Sequence, residues 1–180
     1  MKFSLCAGDI FLSKNPMIFG KAICFMERLW SKDQHAFYGH AGIITSTRGR
    51  ILESSWKVHI GNLKHYEGDK IIIARYKFLK TDKFKFALEK IARNHLGQIY
   101  PVHRLFLHAF NVAHFFHWKR CTCAELTVKF LHLLCRDENL YEFEHWYGWT
   151  PDDLHDVFRR WTGHFDIIFE GEWNSSYLKF

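Results

Sequence analysis

Three β-rich runs crowd into residues 39–78, and they constrain the fold more than any other feature of the chain. "GHAGIITS" and "RILESSW" are separated only by the polar "TRG", which reads as a hairpin. "KIIIARYKF" reads as a third strand of that group. A short strand, "GDIFLS", precedes them, and "FDIIFE" closes the chain's β-forming content. Helical spacing occupies the rest. "MIFGKAICFMERLW" places Ile18, Ala22, Phe25, Met26 and Leu29 on one face of an early helix. "TDKFKFALEKIARNHLG" offers Thr81 as a cap and Gly97 as a stop. "TPDDLHDVFRRW" has Thr150 to cap, Pro151 at the first helical position and acids in the first turn. Strands and helices are partly segregated along the chain. This predicts an α+β fold, a small antiparallel sheet packed against helices, rather than a doubly wound sheet.

A chain of 180 residues suits one domain with one core. Its 48% apolar and 18% aromatic content argues against disorder. No repeat or low-complexity linker divides it. The formal charge of +6, with 13 histidines in reserve, favours anionic surfaces. The lysines and arginines are scattered rather than striped, so no nucleic-acid partner is expected. Peripheral contact with an anionic membrane stays open. "MKFSLCAGDIFL" is broken by Gly8 and Asp9 and makes a poor signal peptide. No run approaches the ~20 apolar residues of a membrane span. The expectation is a soluble chain, cytoplasmic as synthesised. Five cysteines cannot all pair, and thiols are expected.

"KRCTCAELTVKFLHLLC", residues 119–135, carries the chemistry that needs explaining. Thr122 and Glu125 have capping-box spacing, and Leu126, Phe130, Leu133 and Leu134 form an apolar stripe. Cys123 therefore falls at the first helical position, where the helix dipole favours a thiolate. Lys119 and Arg120 reinforce that effect, and Glu125 opposes it. Three readings stand side by side: metal ligand, buried core thiol and nucleophile. A one-residue gap is not the usual zinc spacing and no second cysteine pair exists, although His114 and His117 lie upstream. The core reading suits Cys121, Cys135, Cys24 and Cys6. A nucleophile needs a base and a group to orient that base. "FYGHAGII" supplies His40, with Gly39 and Gly42 leaving room for a substrate. "ILESSW" supplies Glu53. The plainer alternatives are a structural strand histidine and a solvent-facing glutamate. If the two strands pair, His40 and Glu53 share a face, and Glu53 can orient the imidazole and stabilise its cation.

Taken in order, "GDIFL", "GHAGI", "ILESS" and "CAEL" resemble the circularly permuted branch of the NlpC-like, papain-fold cysteine hydrolases. That branch includes the YiiX-type proteins and, more distantly, the lecithin–retinol acyltransferase group. "GQIYP" and "TPDDL" also look like the YiiX-type pattern, and the likeness runs from about residue 7 to residue 160. The resemblance implies one permuted NlpC-like hydrolase domain over residues 1–180, with the histidine strand ahead of the cysteine helix. It implies Cys123 as nucleophile, His40 as base and Glu53 as the third polar member. No cofactor and no metal are expected. Gly8 and Asp9 match the family's opening element in a structural role, and Tyr100 matches a position near the site. The histidine- and phenylalanine-rich segment at about 102–118 departs from the pattern and reads as an insert: a cover over the site, a hydrophobic substrate wall or core, with core or lid favoured over a metal site. Cys121 is left without a role.

The activity implied is hydrolysis of an amide or ester through a Cys-thioester. The expected substrate is a cell-wall peptide or an acyl amide. A lipid acyltransferase, a non-catalytic module binding anionic polymer or membrane, and a zinc-binding interaction protein are the rivals.

Overall fold

The computed structural model describes residues 3–14, 37–101, 121–135, 143 and 148–178. Six strands appear there: β1 (Ile10–Ser13), β2 (His40–Ile44), β3 (Arg50–Ser54), β4 (Val58–Asn62), β5 (Lys70–Tyr76) and β6 (Phe165–Glu172). The helices are α1 (Thr81–His95), α2 (Cys123–Cys135) and α3 (Pro151–Arg160). All strand pairs are antiparallel, in the order β4-β3-β2-β1-β5-β6. The α+β expectation holds, and the hairpin of β2 and β3 is present with Gly42 opposite Glu53.

β5 is a member of the sheet but not a neighbour of the hairpin. β1 inserts between them, setting Ile10 against Ile43 on one side and Ala74 on the other. The centre of the sheet is covered on both faces, which explains runs that are apolar without alternation. One face, with Leu12, Ala41, Ile43, Leu52 and Ile72, packs on the helices through Ile91, Leu126, Phe130, Leu154 and Phe158. The other, with Phe11, Ile44, Ile51 and Ile73, packs under Leu5, Leu63, Tyr66 and Trp173. At about 25 cal/mol per Å² of apolar surface removed from water, these two clusters dominate the stability of the fold.

Helix ends follow local chemistry with one exception. α3 starts with the full box: Thr150 accepts from the Asp153 N–H, and Asp153 accepts from the Thr150 N–H. α1 starts one residue earlier than its sequence suggests. Lys80 is the cap residue, without a side-chain hydrogen bond, and Thr81 is already helical. Gly97 does end α1. Its φ of +81° is a left-handed conformation that glycine takes at little cost, and its N–H turns to the Val58 carbonyl at 2.8 Å.

The predicted helix over residues 17–30, Cys24, the insert at 102–118 with His114 and His117, and Lys119 and Arg120 lie outside the described residues. Cys121 and Cys135 are buried among apolar side chains, as a core thiol would be, and Cys6 is half-buried. Among the described residues, Cys6, Cys121, Cys123 and Cys135 are thiols rather than disulfide partners.

Candidate active site

The site forms where the start of α2 meets the β2–β3–β4 end of the sheet. Thr122 caps α2 as its spacing predicts. Its hydroxyl accepts from the Glu125 N–H at 3.3 Å, and its own N–H donates to Glu125 Oε2 at 2.9 Å. Glu125 Oε1 accepts a second backbone N–H, from Gly148, at 2.9 Å. The carboxylate expected to oppose a Cys123 thiolate is thus fully buried and engaged with backbone donors. The box fixes Cys123 as the first residue of α2. A separate tie holds this helix start to the sheet: Ser54 Oγ donates to the Cys121 carbonyl at 3.2 Å.

His40 opens β2, and Glu53 is its diagonal neighbour on β3, on the same face of the sheet. His40 Nε2 meets Glu53 Oε2 at 2.7 Å, with both residues buried. Cys123 lies within hydrogen-bonding reach of the same imidazole. With Nε2 committed to the carboxylate, Nδ1 is the nitrogen left to exchange a proton with the sulfur. The three residues singled out from sequence therefore stand together, in the order thiol, imidazole, carboxylate.

Electrostatics follow from that order. Burial alone would push the His40 pKa down. The Cys123 thiolate and its hydrogen bond, then the hydrogen bond and charge of Glu53, outweigh burial and raise it to about 10. Burial would likewise raise Glu53, but the bond and charge of His40, the Tyr66 hydroxyl and His59 together lower it. The pair sits charged at neutral pH, each partner stabilising the other's ion.

Three residues shape the carboxylate that no local pattern marks. Asn62 ends β4 and caps the 3-10 turn Leu63–Tyr66 by accepting from the Lys64 N–H at 2.9 Å. That turn delivers Tyr66, whose hydroxyl donates to Glu53 Oε2. His59, opposite Glu53 on β4, places Nε2 3.4 Å from Oε1. Gly61 supplies space: a Cβ there would stand 2.7 Å from Glu53 Oε1. β4 itself is absent from the sequence reading. Its only strong β-formers are Val58 and Ile60, and Gly61 interrupts the run, so neither His59 nor Gly61 could be placed beside Glu53.

Gly42 has a different use from the one expected. A Cβ there would stand 2.4 Å from the Phe11 ring, so the room beside His40 is filled by Phe11 rather than left for a substrate. Tyr100 is buried, and its N–H donates to the Trp56 carbonyl at 2.8 Å. Asp9 meets its structural expectation. It is fully buried and takes the Arg75 Nε at 2.7 Å and the Cys6 N–H at 2.7 Å.

The fold and site together describe an α+β protein with a buried Cys–His–Glu grouping at a helix start. A solved structure of the same fold is that of the metalloprotein YiiX from Escherichia coli O157:H7, of the DUF1105 group. It aligns over 96% of this chain and 100% of that one, at a TM-score of 0.64 and 16% identity. This likeness establishes a YiiX-like fold. No family model matches the chain, and no curated protein does. Among the described residues, no three His, Cys, Asp or Glu side chains are grouped so as to hold a metal ion. No described helix is long and apolar enough to cross a membrane.

Proposed function

We propose that the chain is a cysteine hydrolase of the permuted NlpC type, cleaving an amide or ester through a thioester on Cys123. The observation that carries this reading is the buried imidazole of His40, held between a thiol at a helix start and a carboxylate. A structural histidine needs only one partner. One held between a sulfur and a carboxylate is placed to pass a proton between the thiol and a leaving group.

In this mechanism His40 takes the proton of Cys123 as the reaction begins. The sulfur attacks the carbonyl carbon, and backbone N–H groups at the α2 start, that of Cys123 included, stabilise the oxyanion. His40 gives its proton to the departing amine or alcohol. Water, or another acceptor, then loses a proton to His40 and attacks the thioester, releasing the acid (or transferred acyl group) and the free thiol. Glu53 keeps the imidazole oriented and its cation stable throughout. The substrate class is a peptide, such as a cell-wall peptide, or an acyl amide or ester. Release of the acyl group to a lipid would make the chain an acyltransferase by the same steps.

Incubation with muropeptides and with acyl-lipid substrates, read by mass spectrometry, tests the activity and separates the classes. Product formation that disappears in a folded Cys123→Ala chain supports the reading. Equal turnover by Cys123→Ala overturns it.

A further inference from the structure

The Glu53 carboxylate has more partners than orienting one imidazole requires. Oε2 is shared by His40 Nε2, at 2.7 Å, and the Tyr66 hydroxyl. Oε1 faces His59 Nε2 at 3.4 Å, long for a charge-assisted bond. His59 differs from the other partners in being one-third exposed. A carboxyl terminus turns easily about its last torsion. Left to itself, Glu53 has two histidines to choose between, one buried beside the thiol and one at the surface.

We propose that Tyr66 is a positioning residue that decides this choice: its hydroxyl pins Oε2 against His40 and keeps that oxygen from turning to His59, which holds only the longer contact to Oε1. The Tyr66 ring adds a second constraint. It lies nearly parallel to the His40 imidazole, at 5.8 Å and 12°, and Phe11 meets it edge-on at 5.0 Å. The ring sets the plane of the base, and the hydroxyl sets the carboxylate. Burial and the neighbouring Glu53 charge, with Cys123 and Asp69 beyond, keep the phenol protonated, so it remains a donor. The titratable groups facing Glu53 are His40 from β2, His59 from β4 and Tyr66 from the turn. Those facing His40 are Cys123 from α2, Glu53 and Tyr66. The functional meaning of this role rests on the cysteine-hydrolase reading, but its test does not.

The experiment follows the His40 ring nitrogens by NMR against pH in the full 15N-labelled chain. Tyr66→Phe keeps the ring and removes the hydroxyl. We expect it to lower the proton affinity of His40 about tenfold, the scale of a lost hydrogen bond to a charged group. Adding His59→Gln in that background should recover most of the loss, because the competitor is gone. Wild-type titration in Tyr66→Phe, with a defect only in Tyr66→Leu, would reduce Tyr66 to packing and overturn the proposal. A Tyr66→Phe loss that His59→Gln leaves unchanged would overturn it too. Should Tyr66→Phe fail to fold, His59→Lys serves with Tyr66 intact. Its fixed cation should change His40 less than about threefold, and a tenfold fall refutes the pinning. Cys123→Ser in the same spectra judges the hydrolase reading separately: His40 blind to the sulfur sinks that reading and leaves the Tyr66 comparison standing.

Discussion

Cys121 and Cys123 are separated by a single residue, both are buried, and each has a histidine of its own, yet the two pairs have opposite electrostatics. His40, beside Cys123, is backed by the Glu53 carboxylate and rises to about 10. His95, 3.9 Å from the Cys121 sulfur, is backed by Lys129, whose Nζ points at Nε2 from 3.3 Å. Burial, and then the Lys129 charge, push His95 below its ordinary value despite its bond to Gln98. The lysine donates to Nε2, which leaves the ring proton on Nδ1, facing Gln98 Oε1 at 3.0 Å and the sulfur. A histidine in that state has its proton committed to Gln98 and takes none from the thiol. The lesson is that the group behind the imidazole, rather than the presence of a Cys–His pair, decides whether a proton can be relayed.

The comparison breaks most severely at the sulfurs. Cys123→Ala should reduce turnover at least about 10⁴-fold, as loss of a nucleophile does, while Cys121→Ala leaves it near the parent value. Equal losses in the two variants would dissolve the distinction. Next comes the backing group. Glu53→Gln should cost on the order of 10²-fold or more in turnover and lower the His40 midpoint. An unchanged ring titration by NMR would show that the carboxylate does not support the base.

A smaller effect is expected at Gly61. Gly61→Ala drives a methyl group against Glu53 Oε1 and should cost about tenfold in turnover without replacing any member of the relay. Turnover equal to the parent would show that Glu53 yields without consequence. The reverse experiment is Lys129→Glu, which gives His95 a carboxylate in place of a cation. Its midpoint should rise, and iodoacetamide labelling of Cys121, read by peptide mass spectrometry, should quicken. A midpoint that stays low would point to burial alone.

The smallest effect is on stability. His40 is raised from 6.5, so its contribution is complete below 6.5 and fades as pH rises through about 10. Glu53 is lowered from 4.5, so its contribution is complete above 4.5 and fades as pH falls. Denaturant midpoints of wild type should therefore exceed those of His40→Ala by most between pH 4.5 and 6.5. A difference independent of pH from 4 to 10.5 would mean that the pair contributes packing only.

What could be read beforehand was what short-range chemistry encodes. Thr122 and Glu125 are three residues apart, so the cap of α2, and with it the placement of Cys123, is written locally. The hairpin that brings Glu53 to His40 is likewise local, two apolar runs joined by a polar turn. The insertion of β1 between β2 and β5 is not, because strand order depends on long-range pairing that no window contains. Tyr66 and His59 reach Glu53 only after β4 has paired, and β4 has too little apolar content to announce itself. Gly42 looked like open space because a glycine in a string does not show that Phe11 lies across it.

The place of β1 has a consequence for how the chain can fail. Four residues at its beginning join the hairpin side of the sheet to β5 and β6. Without them, β2 and β5 would each present an unpaired interior edge, long in apolar side chains and ready to template another chain. Damage to this one short segment should therefore produce association into aggregates rather than a quietly inactive monomer.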